Sequence, residues 1–191
     1  MRPMLNPLRG WTLFGWIALA ASWLDLITKW AIFRRLGMPG EQRGIIVVPH
    51  MLSLETNLNE GALFGMGQGM GFFFAAVSCI AIVAIVWMVS QQVTRDDLWL
   101  TVSLALITGG ILGNLYDRLG LPGLTWHAPL TRLGTPVLAV RDWIHFRLDG
   151  IIDWPIFNLA DSWLVIGAGL LLLVSLRPSM KSLNATQPPH Q

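Results

Sequence analysis

The chain has 191 residues, 53% of them hydrophobic and only 13% charged, with a mean hydropathy of +0.56 and a formal net charge of +2. This composition lies outside the soluble globular range, and no basic run is long enough to follow a nucleic-acid backbone. The lone cysteine, Cys79, excludes a disulfide framework and a cysteine-based metal site and reads as a buried structural thiol.

Four apolar stretches, at about 11–33, 71–89, 98–115 and 156–176, each supply the roughly 17 to 25 residues that a helix needs to cross a hydrocarbon core. They predict one integral membrane domain over 1–191. It is membrane all-α, with four transmembrane helices, a small extracytoplasmic β element, a surface loop or short helix between the third and fourth spans, and a polar tail over 178–191. Trp11, Trp30, Trp87, Trp99 and Trp163 stand near span ends, as in the aromatic belts of a bilayer interface.

Arg2 and Arg9 precede the first run, which contains Ala18-Leu19-Ala20 and so mimics a secretory signal. The apolar run continues to Phe33, however, and its full length matches an uncleaved first span. Inside it, Asp25 and Lys29 share a helix face with the acid first, the better order for an ion pair. They read either as a snorkelling pair at the outer interface or as a functional one.

Residues 34–70 form the first connection, with a β-branched run, Ile45-Ile46-Val47-Val48, and a weakly alternating Leu52 to Asn59 that suggest two short strands. The connection ends in Asn59-Glu60-Gly61-Ala62-Leu63-Phe64-Gly65, which reads as a glycine-rich turn or as a place where backbone approaches another chain closely. The second span carries no charge, and the short polar turn after it makes the second and third helices antiparallel neighbours.

Along the third span Gly109 and Gly113 form a small-xxx-small pair, while Gly110, Asn114, Asp117 and Arg118 recur on one face. That polar stripe reads as a structural network at the helix end or as support for a site. Residues 119–141 are rich in Gly and Pro and form a long surface loop, a kind that is uncommon unless functional. His50, His127 and His145 read as solvated surface histidines rather than metal ligands.

The remaining chemistry rests on carboxylates, because the zinc His-Glu-x-x-His pair and the Gly-x-Ser-x-Gly serine elbow are both absent. Asp142 and Asp161 flank the approach to the last span. Two carboxyls held together at a membrane surface cannot both ionise cheaply, so one keeps a proton and the pair offers an acid and a base at neutral pH. The alternative is structural: Asp142 caps a short helix or pairs with Arg141, Arg147 or Arg118, and Asp161 sits in the favourable first turn of a helix.

Taken together, five blocks in order make the chain resemble the lipoprotein signal peptidases (signal peptidase II), the bacterial aspartic peptidases of the inner membrane: Asp25-Leu26-Ile27-Thr28-Lys29, Asn59 to Gly65, Gly110 to Arg118, Val140-Arg141-Asp142-Trp143-Ile144, and Phe157 to Ser162. The resemblance implies an aspartic endopeptidase that removes signal peptides from prolipoproteins on the amino side of a diacylglyceryl-modified cysteine. Asp142 and Asp161 match the catalytic positions, and Asp25, Lys29, Asn59, Asn114, Arg118 and Asn158 match the supporting ones. It also implies no cofactor or metal, a monomer among membrane lipids, no nucleic-acid partner, both termini in the cytoplasm, and an active site at the outer face of the inner membrane.

The sequence departs from the family pattern at Leu63, where alanine is usual, at Arg141 and Trp143 beside Asp142, and in the length of the loop before Asp142. A shifted alignment would select Asp149, Asp153 or Asp117 as the second carboxylate. A different class, a small proton- or ion-coupled transporter, would use Asp25, Lys29 and Asp117 as a relay.

Overall fold

The computed structural model describes residues 7–61, 67, 69–91 and 97–176. Leu63 and the polar tail expected over 178–191 lie outside the described residues.

Apolar runs become helices where the sequence places them: α1 (Pro7–Leu36), α2 (Gly71–Ser90) and α3 (Leu98–Arg118) are each long and apolar enough to cross a membrane. α4 (Leu159–Ser175) is shorter, at 17 residues. It starts later than the expected 156 because Phe157 is taken up in pairing with a strand and Asn158 serves as the helix cap.

α3 is the central helix, packed against α1, α4 and α2, with Leu104 and Ala105 meeting Phe14, Ala18, Ile85 and Val89 in the apolar core. Its glycines permit this approach. A Cβ on Gly109 would stand 2.6 Å from the Ala21 methyl and 2.9 Å from the Ala18 carbonyl, and one on Gly113 would collide with the Asp25 carboxylate. Large apolar side chains such as Phe72, Ile80, Val83, Val165 and Trp16 point outward, while Asp25, Lys29 and Asp117 are buried. That inversion suits a helix bundle whose solvent is lipid. Cys79, expected to be buried, is exposed: α2 packs mainly on α3, and the thiol faces outward.

The small β element is present, with four strands where the sequence suggests two. β1 (Ile45–Val48), β2 (Leu52–Asn59), β3 (Val140–Leu148) and β4 (Ile152–Asp153) form a four-stranded antiparallel sheet in sequential order. β3 occupies part of the stretch expected to be loop or short helix, where only Leu130–Arg132 forms a 3-10 turn. The physical reason is an alternation: Val140, Ile144, Phe146 and Leu148 fall on one face and Arg141, His145 and Arg147 on the other. Asp142 stands on the apolar face, and β2 pairs alongside through Asn57 opposite Asp142 and Asn59 opposite Val140.

Candidate active site

The site is assembled where β3 meets the start of α4. Trp143 N–H donates to the Phe157 carbonyl at 2.9 Å and Phe157 N–H returns to Ile144 O at 3.0 Å, clipping the residue before the helix cap onto the strand. Asn158 is thereby carried to Asp142. As N-cap of α4, Asn158 makes a capping box with Asp161: Asp161 N–H donates to Asn158 Oδ1 at 3.0 Å, and Asn158 N–H donates to Asp161 Oδ2 at 3.2 Å. The same side chain turns its Nδ2 to Asp142 Oδ1 at 2.6 Å and to Asn114 Oδ1 at 3.2 Å. Asn114 Nδ2 closes the circuit on Asp161 Oδ1 at 2.9 Å. Two carboxyls from different elements are thus joined through neutral amides.

Asp142 is only 1% exposed. Burial first, and then the neighbouring Asp161 carboxyl, push its pKa up to about 8, against the opposing pull of the Asn158 amide, the Lys29 charge and the Asn59 amide. Asp142 Oδ2 is buried with no hydrogen-bond partner among the described residues, a costly arrangement for a carboxylate and an easier one for a carboxylic acid.

Beside the amide-linked pair lies a second cluster of opposite character. Lys29 Nζ sits 2.7 Å from Asp25 Oδ2, 3.1 Å from Asp117 Oδ2 and 3.0 Å from Asn114 Oδ1, with all three charged side chains fully buried. Asp117 also holds Arg141, accepting from its backbone N–H at 3.0 Å, its Nε at 2.9 Å and its NH2 group at 2.8 Å. Asp25 Oδ1 accepts from Ala160 N–H at 2.9 Å, tying α1 to the first turn of α4. Two acids and two bases cancel formally, which is the condition for burying charge at tolerable cost.

A groove of about 540 Å³ runs from Asp161 along α4. Asn59, Gly61, Asn114, Arg118 and Asp161 line its polar end, and Ile156, Phe157, Leu164 and Val165 its apolar length. The Arg118 guanidinium donates to the Gly61 carbonyl at 3.1 Å and lies over the Phe74 ring at 5.4 Å. An apolar trough ending in a carboxyl and a cation can seat a lipid-like or extended apolar chain with a polar group at its polar end.

The structure therefore brings Asp25, Lys29, Asn114, Asn158, Asp142 and Asp161 into one connected network, with Asn59 and Arg118 on the same groove wall. Asp149 and Asp153, the other carboxylates a shifted alignment would choose, lie at the far end of β3, where Asp149 pairs with His50 and Arg147 and Asp153 with His145. The histidines expected to stand alone each have an acidic partner: His127 meets Glu41, and His145 meets both Glu55 and Asp153. Among the described residues, no group of His, Cys, Asp and Glu side chains is placed to hold a metal ion.

The sequence leaves Arg141 open as a flank or counter-ion of Asp142 or as a partner of Asp117; strand alternation turns it away from Asp142, and it serves Asp117. One partner is missed: Glu60 reads only as part of a turn, yet it is gripped by Arg132 at 2.7 and 2.8 Å, and nothing local in the sequence signals that pair.

Comparison with known proteins follows the same lines. The family described as Signal peptidase (SPase) II matches residues 17–177. The lipoprotein signal peptidase of Rhodopirellula baltica is 43% identical over 175 residues, covering 88% of this chain and 74% of that protein. The lipoprotein signal peptidase of Shouchella clausii is 33% identical over 157 residues, covering 82% of this chain and 88% of its own. In three dimensions the chain resembles a bacterial membrane enzyme solved by the in meso method at 2.3 Å resolution, with a TM-score of 0.70, 27% identity and 94% of each chain covered.

Proposed function

The chain belongs to the signal peptidase II family, and from that premise we propose that Asp142 and Asp161 are its catalytic pair, acting on prolipoproteins. The protein is a membrane enzyme of aspartic-peptidase type, and the transporter alternative falls with the family assignment. The buried ion cluster of Asp25, Lys29 and Asp117 also gives that alternative no support, because its charges are matched and shut away from solvent.

The observation that carries the reading is the linkage of Asp142 to Asp161 through Asn158 and Asn114 at the polar end of an apolar groove. At neutral pH the pair holds one proton, and the surroundings of Asp142 favour keeping it there. Asp161 takes a proton from the attacking water. Asp142 donates through its unpartnered Oδ2 to the scissile carbonyl as the tetrahedral intermediate forms; the proton on Asp161 then passes to the leaving amine as the C–N bond breaks, and the intermediate's hydroxyl returns its proton to Asp142. Asn158 and Asn114 fix both carboxyls without neutralising them, and the positive charge of Arg118 at the groove wall steadies negative charge that develops nearby.

The groove supplies the substrate reading. Its apolar length along α4 accepts the diacylglyceryl chains of a modified cysteine, or the apolar signal segment, entering sideways from lipid. Cleavage then falls on the amino side of that cysteine. In this reading α4, with the residues around it, is the fourth span of a single monomeric domain. Both termini lie in the cytoplasm, and the sheet and carboxyl pair lie at the outer face of the inner membrane.

The test is cleavage by the purified protein, in lipid, of one prolipoprotein prepared with and without its diacylglyceryl group. The expected result is cleavage at the bond before the cysteine only when the lipid is present. Equal cleavage of both forms would remove the lipid from the reading, and no cleavage of either by folded protein would overturn it.

A further inference from the structure

The long loop between α3 and β3 carries a side chain that grips the groove wall. Its base packs onto the scaffold at both sides, with Val137 and Ala139 buried against Met38, beyond the end of α1, and Leu58 in β2. Backbone bonds stiffen it: Trp126 N–H donates to Thr135 O at 2.9 Å, Gly134 N–H returns to Trp126 O at 2.9 Å, and Val137 N–H reaches Leu124 O at 2.9 Å. On this frame the Arg132 guanidinium lies 4.1 Å from the centroid of the Trp126 ring. Its two terminal nitrogens take both oxygens of Glu60 at 2.7 and 2.8 Å.

A solvent-exposed ion pair contributes little on average, but this one has bidentate geometry and a cation stacked on an indole, and the Glu60 side chain is only 20% exposed. Glu60 lies between two residues that face the carboxyl pair. Before it, Asn59 accepts from Gly61 N–H at 3.0 Å through its side-chain oxygen and turns its amide toward Asp142. After it, the Gly61 carbonyl accepts from Arg118. Whatever holds Glu60 therefore sets the positions of the Asn59 amide and the Arg118 guanidinium together.

We propose that Arg132 is a positioning residue for the peptidase reaction, a clamp from the 119–139 loop that holds the Asn59-Glu60-Gly61 turn in register with Asp142 and Arg118. The proposal rests on the reading of Asp142 and Asp161 as the catalytic pair. Arg132 acts only through the turn, so its loss misplaces groups that matter most as charge develops and lowers kcat more than it raises KM.

The experiment measures kcat and KM for prolipoprotein cleavage across pH in wild type, Arg132→Ala, Arg132→Lys, Glu60→Gln and the exchange Glu60→Arg with Arg132→Glu, each checked by thermal unfolding. Asp142→Asn runs alongside. The groups facing Asp142 are Asp161 and the Asn158 amide from the start of α4, Lys29 from α1, Arg118 from α3 and the Asn59 amide from β2. Loosening the turn removes the Asn59 amide, which favours the ionised form. Arg132→Ala and Glu60→Gln are both expected to lower kcat about 10-fold or more, since small misplacements near the chemistry have effects of that order, and both move the alkaline limb of the profile to higher pH. Arg132→Lys, which keeps the charge without the fork, is expected to fall between, and the exchange to recover most of the loss.

A mere long-range charge effect moves the two limbs apart, because removing the Arg132 cation raises a carboxyl pKa and removing the Glu60 anion lowers it. Limbs moving in opposite directions, or single variants with wild-type kcat, would overturn the clamp. So would a folded exchange variant no better than Arg132→Ala. A folded Asp142→Asn that cleaves as wild type does would instead overturn the catalytic pair, leaving the clamp to be judged on kcat alone.

Discussion

Two carboxylate clusters lie side by side in this molecule, built from the same residue types and held in opposite ways. Asp25 and Asp117 face cations, Lys29 and Arg141, in a closed and formally neutral cluster with no exposed surface on the acids or Lys29. Asp142 and Asp161 face amides, from Asn158 and Asn114, and Asp161 lines a groove. A cation beside a buried acid matches it within a closed set of partners and commits both to structure. The amides orient Asp142 while its burial and the neighbouring Asp161 hold a proton on it that it can give. The two clusters touch through Asn114, whose Oδ1 accepts from Lys29 while its Nδ2 donates to Asp161.

The largest effect should come from breaking the cation cluster. Lys29→Met leaves Asp25 and Asp117 without their shared counter-ion, and removing one partner of a buried pair costs roughly 3–5 kcal/mol. Thermal unfolding in detergent should show a large drop, and a variant melting with wild type would mean that the cluster is not structural.

A subtler separation lies in pH. Asp142 carries a pKa of about 8 in the folded protein, against about 3.9 for an aspartate in an unfolded chain. The folded state binds this proton more tightly, so its contribution to stability is complete below about pH 4 and is lost as pH rises through about 8. Asp142→Asn removes that dependence. The fall in unfolding temperature between pH 5 and pH 8 should be smaller in the variant than in wild type, and an equal fall in both would contradict the assigned shift.

The division between the clusters also marks what the sequence could reveal. The helices were legible because a membrane demands uninterrupted apolar length, and α1, α2 and α3 contain the runs read as spans. The stripe of Gly110, Asn114, Asp117 and Arg118 was legible as a polar face. Its partners were not, since Asn114 reaches Lys29 from 85 positions away and Arg118 reaches Gly61 from 57. Asp142 and Asp161 were picked out as unusual acids, while the strand beneath Asp142 was taken for loop or short helix because the apolar-polar alternation is broken at Asp142 and Trp143. Cys79 was misplaced because a helix apolar on every side gives no local sign of which side faces the bundle.

The most direct test sets one member of each cluster against the other: kcat for prolipoprotein cleavage and the unfolding temperature, measured together for Asp142→Asn and Asp117→Asn. General acid-base groups contribute roughly 10²- to 10⁴-fold, so Asp142→Asn should lose at least about 10²-fold in kcat while unfolding at or above the wild-type temperature. Asp117→Asn should melt earlier and, while folded, keep cleaving. A folded Asp142→Asn with wild-type turnover, or a folded Asp117→Asn as inactive as Asp142→Asn, would contradict the separation of structural acids from working ones.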